Sequence, residues 1–214
     1  RAGSANGSFE VGAGRGNGLV GTGSGTFDNA AGTAVNVGAD SFSTTTGITV
    51  EAVILPDWSG DGGDYDEIFR KEDGNDRILF SFQNDGFGGS ANPPVGPGPV
   101  LSFGLNVGGY GELDMPLSGD DAPITLEDLK DGQPHHVAAT YNSATGEKAI
   151  WVDGAKLWAV ELTAGTEIVS GGGAAATIGN VAPNGGEPFT GTIDEFAFWN
   201  RALTGEEIAQ HSEN

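Results

Sequence analysis

Residues Gly191 to His211 read GTIDEFAFWNRALTGEEIAQH. Side chains alternate along an extended chain, so Asp194, Phe196 and Phe198 fall on one face and Ile193, Glu195, Ala197 and Trp199 on the other. Apolar groups on both faces predict a strand inside a sheet. Asn200-Arg201-Ala202 then turns the chain. Thr204, followed three residues later by Glu207, has the spacing of a capping box, and Leu203 with Ile208 supplies the matching hydrophobic staple. A short helix closing off a sheet follows from these residues.

Upstream, His135-His136-Val137-Ala138-Ala139-Thr140-Tyr141 and Lys148 to Val152 are β-rich runs around Asn142 to Gly146, which predicts a hairpin. Asp153-Gly154 is a two-residue turn signal into a further strand over Ala155 to Leu162. Ile48 to Leu55 is continuous and β-branched enough for a buried central strand ending at Pro56. Further strands are expected at Thr26 to Phe27, Ala34 to Val37, Glu67 to Lys71, Ile78 to Phe82, Val100 to Val107, Tyr110 to Leu113, Glu167 to Val169 and Ala175 to Ile178. Ser8 to Val11 and Leu19-Val20 could add edge strands, and Leu126 to Leu129 one helical turn. Many short strands with turn signals and one convincing helix predict an antiparallel β-sandwich.

Two stretches of this sequence carry a resemblance. The order Gly-x-Ile-Asp-Glu, alternating apolar residues, Asn-Arg-Ala-Leu-Thr-x-x-Glu-Ile, and the pair His135 to Tyr141 with Ile150-Trp151-Val152-Asp153-Gly154, resemble bacterial laminin G-like domains of the concanavalin A-like lectin/glucanase superfamily. The resemblance implies an all-β jelly-roll sandwich with one short C-terminal helix; the length predicts a single domain over 1–214, and the Gly-, Ser-, Ala- and Asn-rich composition of 1–25 predicts a loosely held segment. The resemblance also implies a secreted or cell-surface protein, a module that can belong to a larger chain, and a fold shared by lectins, hydrolases and adhesive spacers. From related sandwiches it implies a structural calcium, with Asp194 and Asp28 as ligands and backbone carbonyls filling the remaining positions. Asp194 could instead cap the turn before its strand.

The 214 residues carry 9 basic and 30 acidic side chains, a formal charge of -21, and no cysteine. That balance argues against nucleic acid or an anionic membrane as partner. No apolar run is long enough for a membrane-spanning helix, and no disulfide framework or thiolate chemistry exists.

Asp57 to Asp66, DWSGDGGDYD, sets four aspartates, a Trp and a Tyr among three glycines. Such a loop can aim short carboxylates at one point, or it can be a solvated acidic turn. The Gly- and Pro-rich loop from Gln83 to Pro99 is of a length often found at functional sites. For glycan binding the needed groups are aromatic rings that stack on pyranoses and acids that bind hydroxyls. Trp58, Tyr65, Tyr110 and Trp158 are the candidate rings, and Asp61 and Asp64 the candidate acids. Trp151 and Trp199 are assigned to packing.

The laminarinase-type Glu-x-Asp-x-Glu is missing, as is a Gly-x-Ser-x-Gly elbow. Adjacent His135 and His136 point to opposite faces, and at least one is expected to tie a strand end to a turn. The reading is a non-catalytic module that binds a glycan or another extracellular ligand. The alternatives are an adhesive spacer and an enzyme of unfamiliar type, with Asp61, Asp64 and Asp66 as its first candidates.

Overall fold

The computed structural model describes residues 8–9, 13–29, 32–38, 42, 44–71, 74–84, 93–170, 175–181 and 186–213. Two seven-stranded antiparallel sheets form a sandwich. The first sheet runs, in spatial order, β1 (Ser8–Phe9), β4 (Val35–Gly38), β13 (Ala176–Ile178), β6 (Asp66–Lys71), β7 (Ile78–Gln83), β8 (Val100–Asn106) and β9 (Tyr110–Pro116). The second runs β12 (Ala155–Glu161), β11 (Glu147–Val152), β10 (His135–Asn142), β5 (Gly47–Pro56), β14 (Thr190–Trp199), β3 (Ser24–Asp28) and β2 (Gly14–Gly16). The expected jelly-roll sandwich is therefore present. α1 (Leu126–Leu129) is the expected single turn, and α2 (Gly205–Ser212) the expected closing helix.

Alternation decides which side chains enter the core. Val50, Ala52 and Ile54 of β5 face Phe80, Phe82, Leu101 and Phe103 of the other sheet in one continuous buried cluster. Each such Val, Ile, Leu or Phe side chain contributes about 1.5–3 kcal/mol by leaving water. The ring quartet Phe42, Phe69, Phe196 and Phe198 closes one side, with centroids 5.0–5.8 Å apart.

β14 lies inside its sheet, between β5 and β3, but strict alternation fails in it. The pairing with β5 slips between Asp194 and Ala197, and Glu195 takes φ +45°. This bulge adds a residue, so Ile193, Phe196 and Phe198 all reach the core, while Asp194 lies with Ala197 and Trp199 on the outer face. The face assignment made from the sequence is wrong for Ile193 and Asp194 relative to the residues beyond them, because a bulge re-phases the strand.

Thr204 caps α2, accepting from Glu207 N while Glu207 returns a carboxylate to Thr204 N at 2.9 Å. Leu203 and Ile208 are buried with Ala138, Ala149 and Trp151 on the outer face of the second sheet. Strands β3 and β4 follow one another but enter different sheets. Two expectations change. Glu167 to Val169 makes only a single bridge, Ile168 to Val107. Leu19 and Val20 form no strand; their N–H groups bond Asp194. Of the 1–25 segment expected to be loosely held, residues 1–7 and 10–12 lie outside the described residues, as do 85–92 of the Gly/Pro-rich loop.

Candidate functional site

The acidic loop is anchored by its tryptophan while Asp57, Ser59 and Asp61 to Gly63 stay exposed. Trp58 is fully buried (0% exposed), its ring 5.6 Å from that of Phe82 and its indole N–H donating to the Asp64 carbonyl at 3.1 Å. Lys130 Nζ donates to the Trp58 carbonyl, and Asn84 Nδ2 to that of Gly60. Trp58 is thus the loop's anchor and offers no ring face to a sugar, a correction to its place among the surface aromatics. Asp61 is exposed; Asp64 accepts from the Ser59 hydroxyl at 3.3 Å; Tyr65 is half-buried. Asp66 at the loop's end is fully buried and accepts from Thr190 N at 2.7 Å. Burial, with the negative charges of Asp64 and Asp57, pushes its carboxyl up to about 7.

A second set of polar groups lies on the outer face of the first sheet. Register places Asp114, Ser102, Ser81 and Glu67 in one row across β9, β8, β7 and β6. All four are buried. Among the described residues Glu67 Oε2 and Ser102 Oγ have no hydrogen-bond partner, and Arg70 bonds Glu67 Oε1 at 2.6 Å and Glu187 at 2.8 Å. Burial holds the Glu67 carboxyl well above the usual range, against the pull of Arg70. Tyr110 donates its hydroxyl to Glu112, carries Arg77 over its ring at 4.7 Å, and lies across Gly104, where any Cβ would strike its hydroxyl. Its ring is used inside the protein. The carboxylates of β6 and β9 stand three strands apart, about 14 Å, too far to flank one glycosidic bond. Glu112 and Asp114 share a face, but the position two residues on is Pro116.

Trp158 meets open space, as does Tyr110, which borders a cleft of about 200 Å³ with Lys148 and Leu162. On outermost β12 Trp158 stands opposite Ile150, where the ladder slips between Ile150 and Trp151. It packs on the core and borders a cleft of about 380 Å³ along the sandwich edge. The other walls are the Pro94 to Pro99 segment, Pro116 at the end of β9, and the turn of Ser118, Gly119, Asp120 and Asp121. Ser118, Asp120 and Asp121 are exposed, and the buried indole N–H of Trp158 has no acceptor. An aromatic ring with hydroxyl and carboxylate groups along one cleft is a set that can stack on a sugar and bind its hydroxyls.

The two calcium ligands implied by resemblance do not meet. Thr190 pairs with Asp28 and Ile193 with Gly25, so Asp194 stands four residues along the ladder from Asp28, about 13 Å. Asp194 accepts from three backbone N–H groups, those of Leu19, Val20 and Glu195 at 2.8–2.9 Å. Asp28 accepts from the Thr33 hydroxyl. The cradle around Asp194 fixes the Leu19-Val20 turn and the bulge at Glu195, not the turn before its own strand that was the alternative role expected for Asp194. Among the described residues no three His, Asp or Glu side chains are grouped to hold a metal.

A further cluster went unremarked in the sequence. Glu51 on the outer face of β5 accepts from Trp199 Nε1 at 2.7 Å, lies 3.0 Å from His211 Nδ1 and 3.3 Å from His136 Nε2, and lines a pocket with them. Although its burial opposes ionisation, those donors hold its carboxyl below the usual range. His135 bonds Asp153 of the Asp-Gly turn at 2.8 Å, the strand-end role expected for one of the two histidines.

Residues 28–209 match a laminin G-like family profile of the concanavalin A-like lectin/glucanase superfamily. The chain belongs to this superfamily. No curated protein gave a significant match. Among solved structures, domain 4 of AbnA, an extracellular arabinanase from Geobacillus stearothermophilus in complex with arabinotriose, is similar at 16% identity with a TM-score of 0.61, over 94% of this chain and 81% of that one. The binding domain of Paraclostridial Mosquitocidal Protein 1 is similar at 14% identity and TM-score 0.67, over 97% of this chain and 47% of that one. The CBM40 domain of a Ruminococcus gnavus sialidase is similar at 12% identity and TM-score 0.58, over 98% and 100%. These likenesses establish the shared sandwich.

Of the candidate rings, then, Trp158 and Tyr110 each border a cleft, but Tyr110 is engaged by Glu112 and Arg77 whereas Trp158 shares its cleft with exposed acids; Asp61 and Asp64 belong to a different loop, that of Trp58. Asp120, Asp121 and Ser118 were passed over. Their only signal was a polar Ser-Gly-Asp-Asp turn, and it becomes informative when β9 and β12 bring it opposite Trp158.

Proposed function

We propose that this superfamily member is a non-catalytic binding module that takes a glycan in the edge cleft beside Trp158, acting outside the cell or at its surface. The observation that carries the reading is Trp158 set in an open cleft with Ser118, Asp120 and Asp121. Stacking on an indole supplies affinity, and carboxylates accepting from sugar hydroxyls supply orientation. Asp120 and Asp121 are neighbours on one turn of the cleft wall, an arrangement suited to accepting sugar hydroxyls, and binding is the reading adopted. The solved relatives named for carbohydrate binding or for a bound oligosaccharide share the sandwich and make a glycan the first ligand class to test. Calcium takes no part in this reading, because Asp28 and Asp194 do not converge.

Titration calorimetry of the protein against arabinotriose, cellotriose and lactose tests the reading. Binding should be seen with at least one of them and should weaken at least about fivefold in Trp158→Ala, since removing a stacked ring costs roughly 1–3 kcal/mol. Binding that is unchanged in Trp158→Ala would move the site elsewhere. No binding across a wider glycan panel would favour a spacer.

A further inference from the structure

Resting on the glycan reading of the same cleft, we propose that it selects neutral oligosaccharides and rejects acidic ones such as sialylated or uronic-acid chains. The described residues lining it include two carboxylates, Asp120 and Asp121, and no Lys, Arg or His. Cations on the neighbouring elements are committed elsewhere. Lys156, two residues from Trp158, bonds Glu147 at 2.7 Å and lies over Trp151 on the other face of the sheet. Lys148 is buried and donates to the Gly111 carbonyl at 2.8 Å. Lys130 is taken by the Trp58 carbonyl. Recognition of a sugar carboxylate needs a guanidinium, an ammonium or a nest of N–H groups, and this cleft presents carboxylates instead.

The rest of the molecule strengthens the discrimination. A formal charge of -21 surrounds the cleft with a field that repels anions on approach and favours neutral ligands by default. At about 6 Å in water, two carboxylates oppose a ligand carboxylate by enough to cost about tenfold in affinity. The hydroxyls of a neutral sugar, by contrast, are donors that Asp120 and Asp121 can accept.

Matched ligands test this. Lactose is compared with sialyllactose, and galactotriose with trigalacturonate, by calorimetry at low salt and again at 0.5 M salt, on the wild type, on Trp158→Ala and on Asp120→Asn/Asp121→Asn. The expected result is that each acidic ligand binds at least tenfold more weakly than its neutral counterpart. The gap should narrow with salt and in the Asn variant, while Trp158→Ala loses the neutral ligand. Acidic ligands that bind as well as or better than neutral ones, and lose that binding in Trp158→Ala, would overturn the selectivity while leaving the glycan site standing. Failure of neutral and acidic ligands alike would instead remove the glycan reading on which the selectivity rests.

Discussion

Asp66→Asn probes the acidic loop through its buried carboxylate. Asp66 is fully buried, and its carboxyl is pushed up to about 7 chiefly by burial and then by Asp64 and Asp57, against the hydrogen bond from Thr190 N. An unfolded Asp ionises near pH 3.9. Between about pH 4 and pH 7 the folded state therefore holds a proton that the unfolded state has lost, and stability falls as pH rises through that window. A displacement of about three pKa units corresponds to roughly 4 kcal/mol at pH 8. Asn keeps an oxygen for Thr190 N but brings a buried NH2 group, which costs about 1–3 kcal/mol if it finds no acceptor. The net expectation at pH 8 is a gain on the order of 2 kcal/mol, shrinking to a loss by pH 4. Urea unfolding of the wild type and of Asp66→Asn at pH 4, 6 and 8 measures it, with the difference between the two curves isolating Asp66 from Glu67 and Glu51. An equal loss of stability in the variant at every pH would refute the reasoning, since it would mean that Asp66 is ionised and favourably paired throughout.

Trp58→Ala should lower stability by about 3–5 kcal/mol by hollowing the core beneath the acidic loop, yet leave binding at the Trp158 cleft within twofold; denaturation and calorimetry on the same preparation separate the two. Calcium and then excess chelator should leave the melting temperature of Asp28→Ala offset from wild type by a constant amount, because Asp28 and Asp194 do not share an ion. A drop of several degrees on chelation that disappears in Asp28→Ala would restore the metal at that position, since an ion bound only to the native state adds about 2.7 kcal/mol at a hundredfold excess over its Kd.

Much of the fold was legible because the signals are local. The capping box at Thr204 and Glu207, the Leu203–Ile208 staple, the β10–β11 hairpin and the helical turn at Leu126–Leu129 each depend on residues a few positions apart. The placement of the functional candidates was not local. Trp58 and Trp158 both sit beside loops or strand edges and look alike in sequence. One is buried against Phe82 and the other lines a cleft because different strands bring different neighbours to them.

By itself, then, the sequence determined the antiparallel sandwich, its central strands, the closing helix and the family. Alternation period, turn residues and caps are set by side chains within one turn or one hairpin. Tertiary structure alone decided three things. The bulge at Glu195 reversed the face of the residues beyond it. The register of β14 on β3 held Asp28 and Asp194 apart. The meeting of β9 and β12 at the sandwich edge set Asp120 and Asp121 opposite Trp158. Each depends on pairing between segments distant along the chain, where a slip of one residue exchanges the two faces of a strand.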